Sequence, residues 1–468
     1  MKGRRCANVA SVPALRLLTL ALLLGSAGAA QERKLDSALL EQAAKEEVLK
    51  EKIPGAAIAV VSDDRIVYAK GLGVANIETG APVSTDMLFR LGSTTKMLTA
   101  AAVLSLALEG KLDLDTPVGA YIKDLHPSIA RLTAHQVLTH TSGLKDDAVM
   151  DGLHDDSALG AGIRLWNADW FFTEPGAIYS YSNPGYWLAG RLAEVVAGKP
   201  YADVMAERVF RPLGMSRTTL RPLMALTFSL AQGHNPASGA PVVIRPAPDN
   251  TANWPAGSVF SSVEELSRFV IALMNDGRVE GKQVLPSKLI SLMLSPQVKT
   301  PDPQRSYGYG LAFGETRGVR FVSHGGARAG YGSLVQIAPD HRLAAVILTN
   351  RSGGSLPGTA EKLFEMLVPM RPALKRAEAL AIPMPAAELD RYAAVYVNGD
   401  QKSEIVSRNG KLLWRAGGRE EEIIKTGDWQ FAVLDAQGKR TRAFRLVPGP
   451  DGGAAYLYAG SRSAARLR

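Results

Sequence analysis

Cysteine is all but missing from this chain: Cys6 is the only one in 468 residues. That excludes a disulfide framework and a cysteine-rich zinc site. Aromatic residues make up 7% of the chain and form no stacking motif among basic residues. The formal charge is +9, from 54 basic and 45 acidic side chains, yet no long basic block carries it. A nucleic-acid partner is therefore not expected. None of the seven histidines falls into His-Glu-x-x-His or a His-x-His-x-Asp-His cluster. His135 and His140 stand five apart, which does not align them on a helix face, so neither a metal nor a cofactor is expected. Gly-x-Ser-x-Gly is absent too, which removes the nucleophile elbow of the α/β-hydrolase fold. Gly71-Leu72-Gly73 is too short for a dinucleotide fingerprint.

What is present is an ordinary globular balance, 46% hydrophobic and 21% charged, at a length that suits two or three domains. Residues 1–30 read as a secretory signal. Lys2, Arg4 and Arg5 form a basic head, Leu17 to Leu24 an almost unbroken apolar run, and Ala27-Gly28-Ala29 a small-residue cleavage site. Between Arg16 and Gln31 lie only about fourteen apolar or small residues, short of the ~20 that a spanning helix needs. The expectation is cleavage, no membrane span afterwards, and a periplasmic or secreted protein. Cys6 precedes the apolar run, so it is not placed like a lipid-modified cysteine and leaves with the signal.

Residues 36–52 have helical apolar spacing, ended by Pro54-Gly55. Ala57 to Val61 and Ile66 to Ala69 suggest a hairpin around Asp63-Asp64. Thr94 to Glu109, rich in Ala and Leu and stopped by Gly110, predicts a strong helix with Ser93 at its N-cap. Helical stretches then alternate with Pro/Gly-rich loops to about residue 300. Tyr309 to Phe313, Val319 to Ser323, Gly332 to Ala338 and Leu343 to Thr349 read as strands of one antiparallel sheet, closed by a helix over Pro357 to Leu367. Sheet material at both ends with helices between gives an α+β domain over 31–370, its sheet completed by distant parts of the chain. Pro372, Pro383 and Pro385 mark a linker over 371–387. Period-two alternation follows, in six segments: 392–397, 403–407, 411–414, 429–434, 442–447 and 455–459. Turn signals such as Asn409-Gly410 separate them, so 388–468 reads as a small all-β domain, a barrel or a sandwich.

Ser-x-x-Lys occurs twice, at Ser93-Thr94-Thr95-Lys96 and Ser142-Gly143-Leu144-Lys145. Ser93 opens an apolar helix, so Lys96 lies one turn on and on the same face. There the amine can reach the hydroxyl, and the helix N-terminus favours developing negative charge. The bland alternative is a capping serine with a solvated lysine. Ser142 is followed by Gly143 and then Asp146-Asp147, which is loop chemistry. Tyr181-Ser182-Asn183 sets a phenol and a carboxamide two residues apart before a helix, with Tyr396-Val397-Asn398 as an obvious decoy. Ser323-His324-Gly325-Gly326-Ala327 sits on a strand whose glycines let a ligand approach the backbone.

The ordered segments Ser93-x-x-Lys96, Tyr181-x-Asn183 and His324-Gly325-Gly326 resemble the penicillin-recognising serine hydrolases. That superfamily includes class C β-lactamases, D,D-peptidases and the related esterases. Leu138 to Leu144, Pro255-Ala256-Gly257 and Tyr307-Gly308-Tyr309-Gly310 support the resemblance, which covers roughly residues 40–365. It implies a β-lactamase/transpeptidase-like antiparallel sheet flanked by helices, with an inserted mainly helical region. The β domain is similar to the small C-terminal domain often attached to such enzymes.

The resemblance implies an amide or ester hydrolase acting through a Ser93 acyl-enzyme on a small-molecule or peptide substrate. β-Lactams and D-amino-acid or cell-wall peptides are the implied substrate types, with a carboxylesterase as the alternative. Lys96 is the implied base and Tyr181 the second proton-transfer residue, with Asn183 orienting Lys96 and substrate. The backbone N–H groups of Ser93 and Ala327 form the implied oxyanion hole. His324-Gly325-Gly326 departs from the Lys-Thr-Gly or Lys-Ser-Gly of the stricter members. A neutral imidazole and a glycine offer less charge and no hydroxyl to a substrate carboxylate, and Arg328 is either a replacement cation or a solvated loop residue. A catalytically silent protein binding cell-wall peptides is the reading from another class. The presence of Ser93, Lys96 and Tyr181 together speaks against it.

Overall fold

A computed structural model describes residues 34–467 apart from 148, 150, 237–239, 374–380 and 417–418. The signal expected over 1–30 lies outside the described residues. Eight strands form one antiparallel sheet: β1 (Gly55–Ser62), β2 (Arg65–Gly73), β3 (Val298–Lys299), β4 (Arg305–Tyr307), β5 (Ala312–Thr316), β6 (Val319–Arg328), β7 (Tyr331–Ala338) and β8 (Leu343–Thr349). Their spatial order is β2-β1-β8-β7-β6-β5-β4-β3, so the first hairpin pairs with the last strand across nearly the whole segment.

Period-two side-chain alternation explains why this sheet is central. In β1, Ala57, Ala59 and Val61 enter one apolar core, while Ala56, Ile58 and Val60 enter another. In β8, Ala344, Val346 and Leu348 face the first core and Leu343, Ala345 and Ile347 the second. Both faces are thus covered. On the second face lie α1 (Ser37–Lys50), capped by Asp36 onto Leu39 N, and the closing helix Pro357–Leu367.

The first core is built around α2 (Thr95–Leu108), whose sequence is apolar on every side and buried nearly all round. Against it packs α3 (Asn183–Ala197), capped by the Ser182 side chain on Gly185 N with Pro184 in its first turn. The structure corrects the expected start of α2. Gly92–Thr94 is a single 3-10 turn, and Ser93 caps nothing. Tyr309 also leaves the strand expected for it. Gly308 N–H turns to Leu311 O, and the Tyr309 phenol meets His135 Nδ1 at 2.9 Å.

Residues 394–466 close into a barrel of eight antiparallel strands: β9 (Ala394–Asn398), β10 (Gln401–Arg408), β11 (Lys411–Ala416), β12 (Arg419–Gly427), β13 (Gln430–Leu434), β14 (Arg440–Pro448), β15 (Ala454–Ala459) and β16 (Arg462–Arg466). Two of these lack the expected alternation: β12 opens on a run of charge and β16 is mostly small residues. Tyr396, Trp414, Phe431 and Phe444 fill the interior, so the barrel is packed rather than cupped. Among the described residues, no helix is long and apolar enough to cross a membrane.

Candidate active site

The site forms where the N-termini of α2 and α3 meet the end of β6. Ser93 sits in the 3-10 turn, partly open to solvent, while Lys96 on the next turn is fully buried. The turn is pinned from behind. Thr94 and Ser333 hydroxyls both donate to Leu91 O, at 2.9 and 2.6 Å. Two glycines let β6 approach. A Cβ on Gly92 would stand 2.8 Å from Ala327 N, and one on Gly326 only 2.0 Å from Leu91 O and 3.0 Å from Ser93 N. The Leu91–Ser93 turn and the Gly326–Ala327 stretch of β6 thereby lie in close contact.

Lys96 Nζ lies 3.2 Å from Ser93 Oγ, 2.7 Å from Asn183 Oδ1 and 2.7 Å from Ala256 O. The carbonyl oxygens can only accept. A neutral amine therefore donates its two N–H bonds to them and turns its lone pair to the Ser93 hydroxyl. Burial lowers the Lys96 pKa to about 7, with Asp146 opposing the shift and Arg462 adding to it. A population of neutral amine thus exists near neutral pH. The Tyr181 ring lies 4.8 Å from Nζ. Burial pushes the Tyr181 pKa well up, so the group is a protonated donor.

Behind Tyr181 stands His140, ring centroids 4.2 Å apart, whose Nδ1 accepts from Ser182 N at 3.1 Å. His140 also packs on Tyr186 and Tyr307, and burial keeps it uncharged. His324 is buried 6.2 Å from the Tyr181 ring. Its Nδ1 meets Gly325 O at 2.7 Å and its Nε2 the Tyr307 hydroxyl at 3.1 Å, so both nitrogens are engaged. Burial, and secondly the Lys96 charge, lower its pKa to about 3. A hydrogen bond from His324 to a substrate requires breaking one of these contacts.

The residues singled out in the sequence come together here: Ser93, Lys96, Tyr181, Asn183, His324, Gly325, Gly326 and Ala327. Arg328 fits neither expectation for it. It is buried, with Nη1 2.8 Å from Ser258 Oγ and Nη2 3.0 Å from Pro248 O, and it also meets Asp249, the partner of Arg90. It braces the 248–258 segment from behind. Two further residues escaped the sequence reading. Asp146, passed over as loop chemistry, takes the Asn183 N–H at 2.8 Å and Nδ2 at 2.9 Å. Arg462, from β16 of the barrel, places Nε 2.6 Å from the other Asp146 oxygen. No local motif marks an arginine in a run of small residues.

The family model described as Beta-lactamase matches residues 38–367. Penicillin-binding protein 4 of Amycolatopsis lactamdurans is 29% identical over 349 residues, covering 72% of this chain and 91% of that protein. The D-aminopeptidase of Brucella anthropi is 28% identical over 337 residues, 69% of this chain. The match spans 61% of the aminopeptidase's own length. Among solved structures, SurE with D-Leu superposes with a TM-score of 0.73 at 25% identity, covering 92% of this chain and 99% of that one.

Proposed function

The chain belongs to the Beta-lactamase family, whose members are serine hydrolases, and from that premise we propose that it cleaves an acyl bond next to a D-amino acid through a Ser93 acyl-enzyme. One observation carries the chemistry: the buried Lys96 Nζ stands 3.2 Å from Ser93 Oγ and is held by Asn183 Oδ1 and Ala256 O, so that in its neutral form its two N–H bonds go to these carbonyl oxygens and its lone pair to Ser93 Oγ. Lys96 takes the Ser93 proton as Oγ bonds to the substrate carbonyl carbon. The resulting oxyanion sits against the amides of Ser93 and Ala327, each such donor contributing about 10²–10³ in rate. Tyr181 protonates the leaving group and recovers a proton from Lys96. Water then attacks the acyl-enzyme, its proton returns through the same pair, and Ser93 is released. The substrate class rests on the names of two relatives, a D-aminopeptidase and a structure holding D-Leu.

A second reading, a carboxylesterase, draws on His324 and Gly325. They present neither the cation nor the hydroxyl that would attract a substrate carboxylate, and both His324 nitrogens are already engaged. One experiment tests both. Purified protein and Ser93→Ala are compared on D-amino-acid amides and peptides, nitrocefin and short-chain p-nitrophenyl esters, with fluorophosphonate labelling in parallel. Loss of labelling with Ser93→Ala and preferred turnover of D-amino-acid substrates is expected. Turnover confined to esters replaces the first reading by the second, and undiminished labelling of Ser93→Ala sinks both.

A further inference from the structure

We propose that Arg462, although it belongs to the barrel, is a positioning residue of the active site, acting through Asp146 on Asn183 and through Asn183 on Lys96. The inference rests on the reading of Ser93 and Lys96 above and adds a residue to it. Arg462 begins β16, directly after the turn at Gly460-Ser461. Its Nε lies 2.6 Å from Asp146 Oδ2, and one of its terminal nitrogens meets the same oxygen. Asp146 Oδ1 accepts the Asn183 backbone N–H at 2.8 Å and Nδ2 at 2.9 Å. The Asp146 side chain is 6% exposed.

These contacts decide which way the Asn183 amide points. An amide that gives its NH2 end to a carboxylate must turn its oxygen to the opposite side, and there Lys96 Nζ lies at 2.7 Å. The flipped amide would set N–H against the N–H bonds of the lysine and leave the carboxylate unsatisfied. Arg462 supplies the counter-charge to this buried carboxylate. The arginine is itself held in place. Tyr181 N–H donates to Ser461 O at 2.9 Å, Ser463 N–H to Ser180 Oγ at 3.0 Å, and Ser463 Oγ to Tyr179 O at 2.8 Å. The turn of the barrel is thus zipped along the segment that carries Tyr181, and the guanidinium lies 5.4 Å from that ring.

Electrostatics points the same way. Lys96 is enclosed by the Tyr181 and Tyr186 phenols, by Tyr307 on β4, by His140 and by His324 on β6, all kept uncharged by burial. The charges acting on it are Asp146, which favours the ammonium, and Arg462, which opposes it. Without the arginine the carboxylate is unbalanced, and Lys96 holds its proton to higher pH.

The test is the rate of fluorophosphonate labelling of the full chain against pH, which needs no known substrate. Arg462→Ala should slow labelling at pH 7 by between about 10- and 100-fold, the scale of a misplaced catalytic group. It should also move the acidic limb of the profile to higher pH, with Arg462→Lys recovering much of the rate. In an Asp146→Asn background, Arg462→Ala should cost far less in rate than it does in the unaltered chain, because its route through Asp146 to Asn183 is already cut. Folding is checked by thermal melting at each pH. A slower Arg462→Ala whose limb stays in place, or whose effect simply adds to Asp146→Asn, overturns the proposal and leaves a merely structural contact. Unchanged labelling at Ser93 overturns it as well. Absence of labelling in the unaltered chain fails the Ser93 reading itself, which separates the two failures.

Discussion

At Ser93 the Ser-x-x-Lys pattern runs into the first turn of α2, whereas at Ser142 it runs through a loop held by the 170–174 segment. In the first, one turn of helix brings Lys96 Nζ to 3.2 Å from the hydroxyl and buries it completely. In the second, Gly143 has φ +72°, Ser142 Oγ accepts from Leu144 N within the turn, and Lys145 stays half-buried. The loop is tied by its backbone instead: Phe172 N–H to Gly143 O at 3.0 Å, and Lys145 N–H to Trp170 O at 2.9 Å. Its part in the site is to present the next residue, Asp146, to Asn183. The same Ser-x-x-Lys pattern therefore sets a hydroxyl against a buried amine in one place and makes a platform in the other. Spacing brings the two side chains within reach only if the backbone is helical, and only burial makes the lysine a base.

The comparison breaks most readily at the two lysines. Lys96→Ala should all but abolish acylation of Ser93 while Lys145→Ala leaves it nearly unchanged. Equal losses, measured as labelling rates, would show that position in the fold does not separate them. Tyr181→Phe should follow, with turnover lower by about 10²–10⁴ and the fold intact by circular dichroism. A near-normal rate removes the phenol from proton transfer.

The pH profile sharpens the comparison next. Lys96 must be neutral to accept the Ser93 proton, so kcat/KM should climb with pH to a plateau above about 7 and fall about tenfold per unit below it. A flat profile between pH 5 and 8 contradicts that. The same shift bears on stability. The folded pKa lies below the ordinary lysine value of 10.5, so the unfolded chain holds the proton more tightly between about 7 and 10.5. This group therefore adds stability as pH rises through that window, and its penalty is fully present below it.

The smallest effect belongs to the loop. A Cβ on Gly143 would stand 2.3 Å from Thr173 O at a left-handed φ, so Gly143→Ala should destabilise the protein by more than about 1 kcal/mol. Chemical denaturation measures it. No loss of stability would mean that the loop is free to rearrange.

Much of this was legible in the amino acids because it is local. The helix beginning near Ser93 follows from an Ala/Leu run, the β1–β2 hairpin from two strand-like runs around Asp63-Asp64, and the approach of Lys96 to Ser93 from one helical turn. Asn183 and Tyr181 were found because they share one short segment with a helix start. The strands 419–427 and 462–466 were not, since charge and small residues hide the period of two and pairing inside a closed barrel replaces it. Asp146 and Arg462 stand 316 positions apart and share no motif. The sequence by itself determined which residue types are available to the site and the order in which they occur. The tertiary structure decided which lysine is stripped of water, that Arg328 is a brace, and that an arginine from the barrel faces Asp146. Burial and long-range charge pairing depend on what the rest of the chain folds against a residue, and no window along the sequence contains that.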